Sequence, residues 1–379
     1  MPALRHDVDP DGLLEYSVVY TDRALNHMSA IFQTVMTDLS RELKSVYHAA
    51  GVAIVPGSGT YAMEAVARQL AADKKCLIVR NGWFSYRWTQ IIERGKITDD
   101  TTVLTAERKD DTAQAPFAPV EIDTVVACIK ADKPAVVFAP HVETSAGIIL
   151  PDDYIKALAE AVHSVGGLLV IDCIASGCVW LDMEALGIDV LISAPQKGWS
   201  STPCAGLVML SERAIEAVDT TESDSFSIDL KQWLNIMRAY ENGGHAYHAT
   251  MPTDGLRQFR DVLMEAKNIG FDKLYDAQWA LGERIRERCE AQGFASVAAD
   301  GYRAPGVVVS YTEREDIHKG RAFIDAGVQI AAGVPLKCDE PESFQTFRIG
   351  LFGLDKLTDV DGAVQRFADA LDTVCASAS

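Results

Sequence analysis

No apolar run in this chain approaches the roughly 18 residues that a membrane-crossing helix needs, so no such span is expected. Basic residues are in short supply: 35 Lys and Arg stand against 54 Asp and Glu, a formal net charge of −19. A surface of that sign disfavours nucleic acid and anionic membrane, so any anionic substrate must be caught by a local basic pocket. Paired cysteine spacing is lacking too. Cys76, Cys128, Cys173, Cys178, Cys204, Cys289, Cys338 and Cys375 are scattered, several inside apolar runs where a reduced thiol packs as a small hydrophobe. Disulfides are not expected, and the compartment should be reducing. The opening residues 1–10 are acidic and carry no apolar segment of the secretory kind, which makes the cytoplasm the expected location. His141, His245 and His248 have no companions at metal-ligand spacing, so no metal is expected. Internal repeats and low-complexity tracts are missing as well.

With 379 residues, 48% hydrophobic and 23% charged, the chain exceeds one typical domain. Short β-rich runs recur at 52–55, 76–79, 135–138, 168–171, 190–192 and 207–210, apolar on both faces, as strands of a mostly parallel sheet covered by helices must be. Helical patterns lie between them, at 61–71 and 151–164 for example, and residues 17–49 also read as helix. After Pro252 a charged amphipathic stretch from about 254 to 292 precedes shorter strands at 307–311 and 347–350. The expected architecture is α/β: an N-terminal arm (1–20), a large domain with a mostly parallel sheet (21–253), and a smaller α+β domain (254–379).

Two residues carry chemistry. Lys197 follows the apolar run Leu191-Ile192, and Asp172 ends the run Leu168-Leu169-Val170-Ile171. An amine just past one strand and a carboxylate closing another suit pyridoxal 5'-phosphate, whose aldehyde needs an amine for a Schiff base. Its ring nitrogen, across the ring, needs an anion to stay protonated and draw electrons from a substrate carbanion. Pro56-Gly57-Ser58-Gly59-Thr60 sits between a strand and a helix, a place where free amides and hydroxyls hold a phosphate. It is not a Walker loop, because no Gly-Lys-Ser/Thr follows.

The segments Gly57-Ser58-Gly59-Thr60, Arg80-Asn81-Gly82-Trp83-Phe84, His141-Val142-Glu143-Thr144-Ser145-Ala146-Gly147, Ile171-Asp172-Cys173, Ser193-Ala194-Pro195-Gln196-Lys197, Tyr247-His248-Ala249-Thr250 and Phe347-Arg348-Ile349-Gly350 occur in this order. Together, over about residues 50–355, they resemble the class V aminotransferases of fold type I, the alanine–glyoxylate, serine–pyruvate and 2-aminoethylphosphonate–pyruvate group.

The resemblance implies that Lys197 forms the Schiff base and that Asp172 partners the ring nitrogen. It further implies that Phe84, or Trp83 beside it, stacks on the cofactor and that Thr144 bonds near its phenolic oxygen. Ser58, Gly59, Thr60 and Gln196 would hold the phosphate, joined by Tyr247 and Thr250 from a second subunit of a homodimer. Arg348 would take the substrate carboxylate with its planar fork of donors. The implied reaction is ping-pong transfer of an amino group from a small alanine- or serine-like donor to glyoxylate or pyruvate. The alternatives are 2-aminoethylphosphonate as donor, a lyase on the same scaffold, or a binding protein without the cofactor. Cys338, ten residues before Arg348, is weighed as a desulfurase nucleophile and set aside for want of small flexible neighbours. One departure stands out: where members of the group usually carry a Gly-Pro-rich opening segment, this chain has Leu14-Glu15-Tyr16-Ser17-Val18, and that touches the substrate side wall.

Overall fold

The computed structural model describes residues 7–377. Its centre is a seven-stranded sheet made of β1 (Gly51–Pro56), β2 (Cys76–Arg80), β3 (Thr101–Thr105), β4 (Val136–Pro140), β5 (Leu168–Asp172), β6 (Val190–Ser193) and β7 (Ala205–Leu210). The spatial order is β1-β7-β6-β5-β4-β2-β3. Only β7 runs against its neighbours; β6, β5, β4, β2 and β3 pair in parallel. Because β1 and β6 are both antiparallel to β7, β1 points the same way as the parallel strands, and all of these end on one edge. The apolar runs form strands because helices cover both faces: Val52 to Val55, Leu77 to Val79 and Leu207 to Leu210 are fully buried.

β3 was not evident from sequence. Thr101-Thr102-Val103-Leu104-Thr105 lies at the sheet edge and is only half-buried along its length, so it lacks the continuous apolar run of the inner strands. The first long helix also differs from expectation, spanning Ala30–Tyr47 instead of 17–49. Ser29 caps it, its hydroxyl accepting from Phe32 N. Upstream, Ser17, Thr21 and Asn26 each turn their side-chain oxygens onto nearby backbone N–H groups, at Tyr20, Arg23 and Met28. Such local bonds offer the backbone an alternative to the helix ladder. Phe32, Val35, Met36, Leu39 and Leu43 then give the helix a buried stripe at helical spacing.

The amphipathic stretch after Pro252 forms two helices, Thr253–Ile269 and Phe271–Ala291, broken at Gly270, whose φ of 107° no L side chain adopts easily. A second sheet, of β8 (Val307–Tyr311), β9 (Ala331–Ala332) and β10 (Thr346–Gly350) in the order β8-β10-β9, packs Val308, Phe347 and Ile349 into a separate core with Leu281, Phe323 and Phe367.

Candidate active site

Ligands of open α/β sheets bind beyond the carboxyl ends of parallel strands. Here those ends deliver Ser58 after β1, Phe84 after β2, Glu143 after β4, Asp172 at the end of β5 and Lys197 after β6. β5 and β6 are adjacent, with Asp172 in register with Ile192, so the acid and the lysine leave neighbouring strands on the same edge.

Asp172 is buried. Its Oδ1 accepts from Ile174 N at 2.9 Å, and Oδ2 has no hydrogen-bond partner among the described residues. Burial pushes the carboxyl up to about 6; the Ile174 N–H opposes this, the Glu143 charge adds to it, and Arg87 pulls it down. A buried carboxylate with one oxygen unpartnered is costly unless a cation faces it.

Lys197 is half-buried, its Nζ 5.4 Å from the ring centre of Phe352. Burial, and then the positive fields of Arg348 and Arg87, lower its pKa below the ordinary lysine value. The loop that carries it is clamped. Ser200 N donates to Lys197 O and Ser201 N to Pro195 O, both at 2.9 Å; Cys178 Sγ contacts Gly198 O at 3.4 Å, and Leu354 N donates to Ser200 Oγ at 2.9 Å. Gly198 passes so near the 177 turn that a Cβ there would stand 2.0 Å from Gly177 O, which only glycine permits.

Ser58 precedes the helix Gly59–Leu70, but its side chain makes no capping bond, which leaves its hydroxyl and the amides of Gly59 and Thr60 for an anion. The half-buried Gln196 has its Oε1 buried without a partner. Turning that amide over would present Nε2 in its place. Arg87 Nη1 donates to Thr60 Oγ1 at 3.1 Å, and its guanidinium lies 5.3 Å from the Phe84 ring centre. Arg348 lies 5.5 Å from the same ring and is held by Nε donating to Ala332 O at 2.8 Å; no carboxylate pairs with it among the described residues. Both guanidiniums thus lie near the Phe84 ring, which brings Thr60, Phe84 and Arg348 into one cluster.

Four residues escaped the sequence reading. Arg87 and Phe352 are known only by what they touch. Lys337, taken up below, is the third. Glu143 is the fourth: fully buried, it accepts from Phe84 N, Ser85 N, Ser85 Oγ, Ser145 N and Ser145 Oγ, at 2.7 to 3.2 Å. It caps the helix Trp83–Gly95 and fixes the backbone that aims Phe84. Ser145, two residues on, was the one local signal; Ser85 lies 58 residues away in the chain. Thr144 is half-buried beside Glu143. Tyr247 and Thr250 are exposed and touch each other (3.3 Å between oxygens) and, for Tyr247, the His27 ring; they make no contact with the Lys197 cluster among the described residues. His141 is buried, bonded to Ser176 Oγ at 2.7 Å, and burial holds it neutral with a pKa of about 3.

A family model described as aminotransferase class-V matches residues 13–343. The match stops before β10, so Arg348 rests on the geometry above. A 2-aminoethylphosphonate–pyruvate transaminase of Paraburkholderia phymatum is 29% identical, covering 91% of this chain and 89% of its own length. An alanine–glyoxylate aminotransferase of Oryctolagus cuniculus is 25% identical, with coverages of 92% and 86%. Among solved structures, an alanine–glyoxylate aminotransferase from Nostoc sp. superposes with a TM-score of 0.78 at 22% identity, covering 92% of this chain and 89% of that one.

Proposed function

The chain belongs to the class-V aminotransferases, and from that premise we propose that it moves an amino group from a small amino donor to a small 2-oxo acid at the Lys197–Asp172 site. Enzymes of this family depend on pyridoxal 5'-phosphate. The residues present fit that group: the half-partnered buried Asp172 suits a protonated ring nitrogen, and the open Ser58–Thr60 helix start with the unpartnered Gln196 amide suits a phosphate. When bound, the group supplies a carbonyl that condenses with amines and a ring that withdraws electrons from the adjacent carbon.

The chain's own residues then divide the work. Lys197, its pKa lowered, offers an uncharged amine more readily than an ordinary lysine, and its Nζ can carry a proton from the substrate Cα to the cofactor carbon C4′. Asp172 would hold the protonated ring nitrogen. Arg348 grips the substrate carboxylate and sets the orientation of its Cα bonds. Phe84, its backbone fixed by Glu143, would offer its ring to the bound group, and the half-buried Thr144 would bond near the group's phenolic oxygen. The observation that carries the reading is the emergence of a buried acid and a half-buried lysine from one edge of adjacent parallel strands, with the Arg348 guanidinium close enough to act on that lysine.

Alanine- or serine-like donors with glyoxylate or pyruvate as acceptor are the first reading. 2-Aminoethylphosphonate is the second, favoured by the two arginines flanking Phe84. Mixing the holoenzyme with each donor and no oxo acid should give one half-turn, seen as loss of the visible cofactor band, with recovery on adding pyruvate or glyoxylate. Continued release of ammonia or a cleaved product would instead make it a lyase. In the same assay Arg348→Ala should weaken carboxylate donors by about 10- to 100-fold, the worth of charge-assisted hydrogen bonds. An unchanged dependence on donor concentration would remove Arg348 from the site.

The exposed Tyr247 and Thr250 support a homodimer in which each subunit completes its partner's phosphate contacts. Leu13, Tyr16 and Val18, more than four-fifths exposed on the N-terminal segment, add apolar surface for such a contact. The division into an arm (1–20), a large domain (21–253) and a small domain (254–379) is supported by the two sheets with separate cores. A cytoplasmic location is supported by the eight free cysteines.

A further inference from the structure

The turn after β9 is built to present one lysine. The backbone N–H groups of Leu336, Lys337 and Cys338 all donate to the Glu340 carboxylate, at 2.8, 3.0 and 2.9 Å. That acid is occupied by the backbone and makes no ion pair with Lys337. Lys337 itself has a φ of +64°, a left-handed conformation that a non-glycine residue keeps only where its surroundings impose it. Its carbonyl accepts from Arg80 Nη1 at 3.2 Å, Arg80 Nη2 donates to Thr89 Oγ1 at 2.7 Å, and Cys338 Sγ lies 3.4 Å from Arg80 O. The turn is therefore pinned to the end of β2, just before Trp83 and Phe84.

Lys337 Nζ stands 6.0 Å from the ring centre of Trp83, as Arg348 stands over the next residue, Phe84. Arg80 covers the Tyr86 ring at 4.7 Å, and Tyr86 in turn packs on Trp83 at 5.7 Å. Two cations thus overlook neighbouring rings in the first turn of one helix. Lys337 is exposed, and neither it nor Arg80 forms an ion pair among the described residues. In a chain of net charge −19, a lysine whose backbone is pinned beside Trp83 and whose amine has no counter-ion among the described residues is set for an anion from solution.

We infer that Lys337 determines donor specificity by receiving a second acidic group, a carboxylate or a phosphonate, on an amino donor whose first acid is held by Arg348. The inference rests on the transaminase reading and refines its donor: the side chain standing where alanine has a methyl ends in an acid. Arg80 is a positioning residue that acts through the turn. Anchors at both ends fix the donor's orientation more tightly than one carboxylate can.

The test uses holoenzyme as wild type, Lys337→Gln and Lys337→Arg. L-Alanine, L-aspartate and 2-amino-3-phosphonopropionate are compared by single-half-turn loss of the cofactor band, and the unreactive probes succinate and butyrate by calorimetry. Wild type should prefer the two-acid donors, and Lys337→Gln should lower the aspartate-to-alanine affinity ratio by about tenfold, as loss of one partly solvated charge contact would. Lys337→Arg should restore most of that ratio, which a collapsed turn would not allow. Preference between the carboxylate and phosphonate donors identifies the acid. A wild type without preference for two-acid donors, or a ratio unmoved by Lys337→Gln, overturns the inference while leaving transamination standing. Should no donor react, the transaminase reading fails, and the succinate-to-butyrate ratio still decides whether Lys337 binds a second acid.

Discussion

Lys197→Ala protein should show no absorbance from a lysine-bound cofactor and should lose turnover by about 10⁴-fold or more, the combined worth of the nucleophile and the proton carrier. No neighbour can take over. Arg87 and Arg348 carry delocalised guanidinium groups and no free amine, and the amine of Lys337 lies out over Trp83 on a turn whose backbone is pinned. The pKa of Lys197 is lowered by burial and by those two arginines, so the reactive neutral amine is more abundant at neutral pH than for a solvated lysine. Activity should accordingly rise with pH through an ionisation below the ordinary lysine value. Added methylamine, an amine of the right chemistry without the tether, should restore a small part of the rate to the alanine variant. Turnover persisting in Lys197→Ala without added amine would refute the site.

Asp172→Asn should split stability from catalysis. With no cofactor bound, the carboxyl titrates at about 6 in the folded chain against the ordinary 3.8. The folded state therefore holds this proton more tightly than the unfolded one. Stability from this group is full below the unfolded value, is lost as pH rises from about 4 to 6, and stays lost above that. The gap corresponds to about 3 kcal/mol at most. Asparagine removes the buried charge, so cofactor-free Asp172→Asn should melt higher than wild type at neutral pH and match it more closely near pH 4. The holoenzyme should behave in the opposite sense. Loss of a buried charge partner costs about 3–5 kcal/mol, which in a rate is a fall of about 10² to 10³-fold or more. Melting curves with and without cofactor, beside single-turnover rates, check both halves. A cofactor-free variant less stable than wild type at neutral pH would mean that the carboxylate has other partners.

What could be read in the sequence follows from where the information resides. Inner strands such as Leu77 to Val79 and Leu207 to Leu210 announce themselves because burial on both faces demands an unbroken apolar run. The edge strand Thr101–Thr105 faces no such demand and carries no such mark. Residues 17–29 contain apolar residues enough for a helix, yet Ser17, Thr21 and Asn26 divert the backbone by local bonds. Lys197 and Asp172 could be singled out because one follows and the other closes a readable strand. Glu143, Arg87 and Lys337 were not, since their meaning comes from residues far along the chain, such as Ser85 opposite Glu143 and Trp83 opposite Lys337.

The reversed direction of β7 has a consequence for how the amine travels. β6 leaves the sheet at Ser193 and β7 re-enters beside it at Ala205, so the intervening segment is a short bridge anchored at both piers and bolted at mid-span by Gly198 against Gly177. Such a bridge has little room to flex. In the proposed transfer the reach of Lys197 would have to come from rotation about its own four methylenes, its nitrogen sweeping an arc drawn from a stationary pivot.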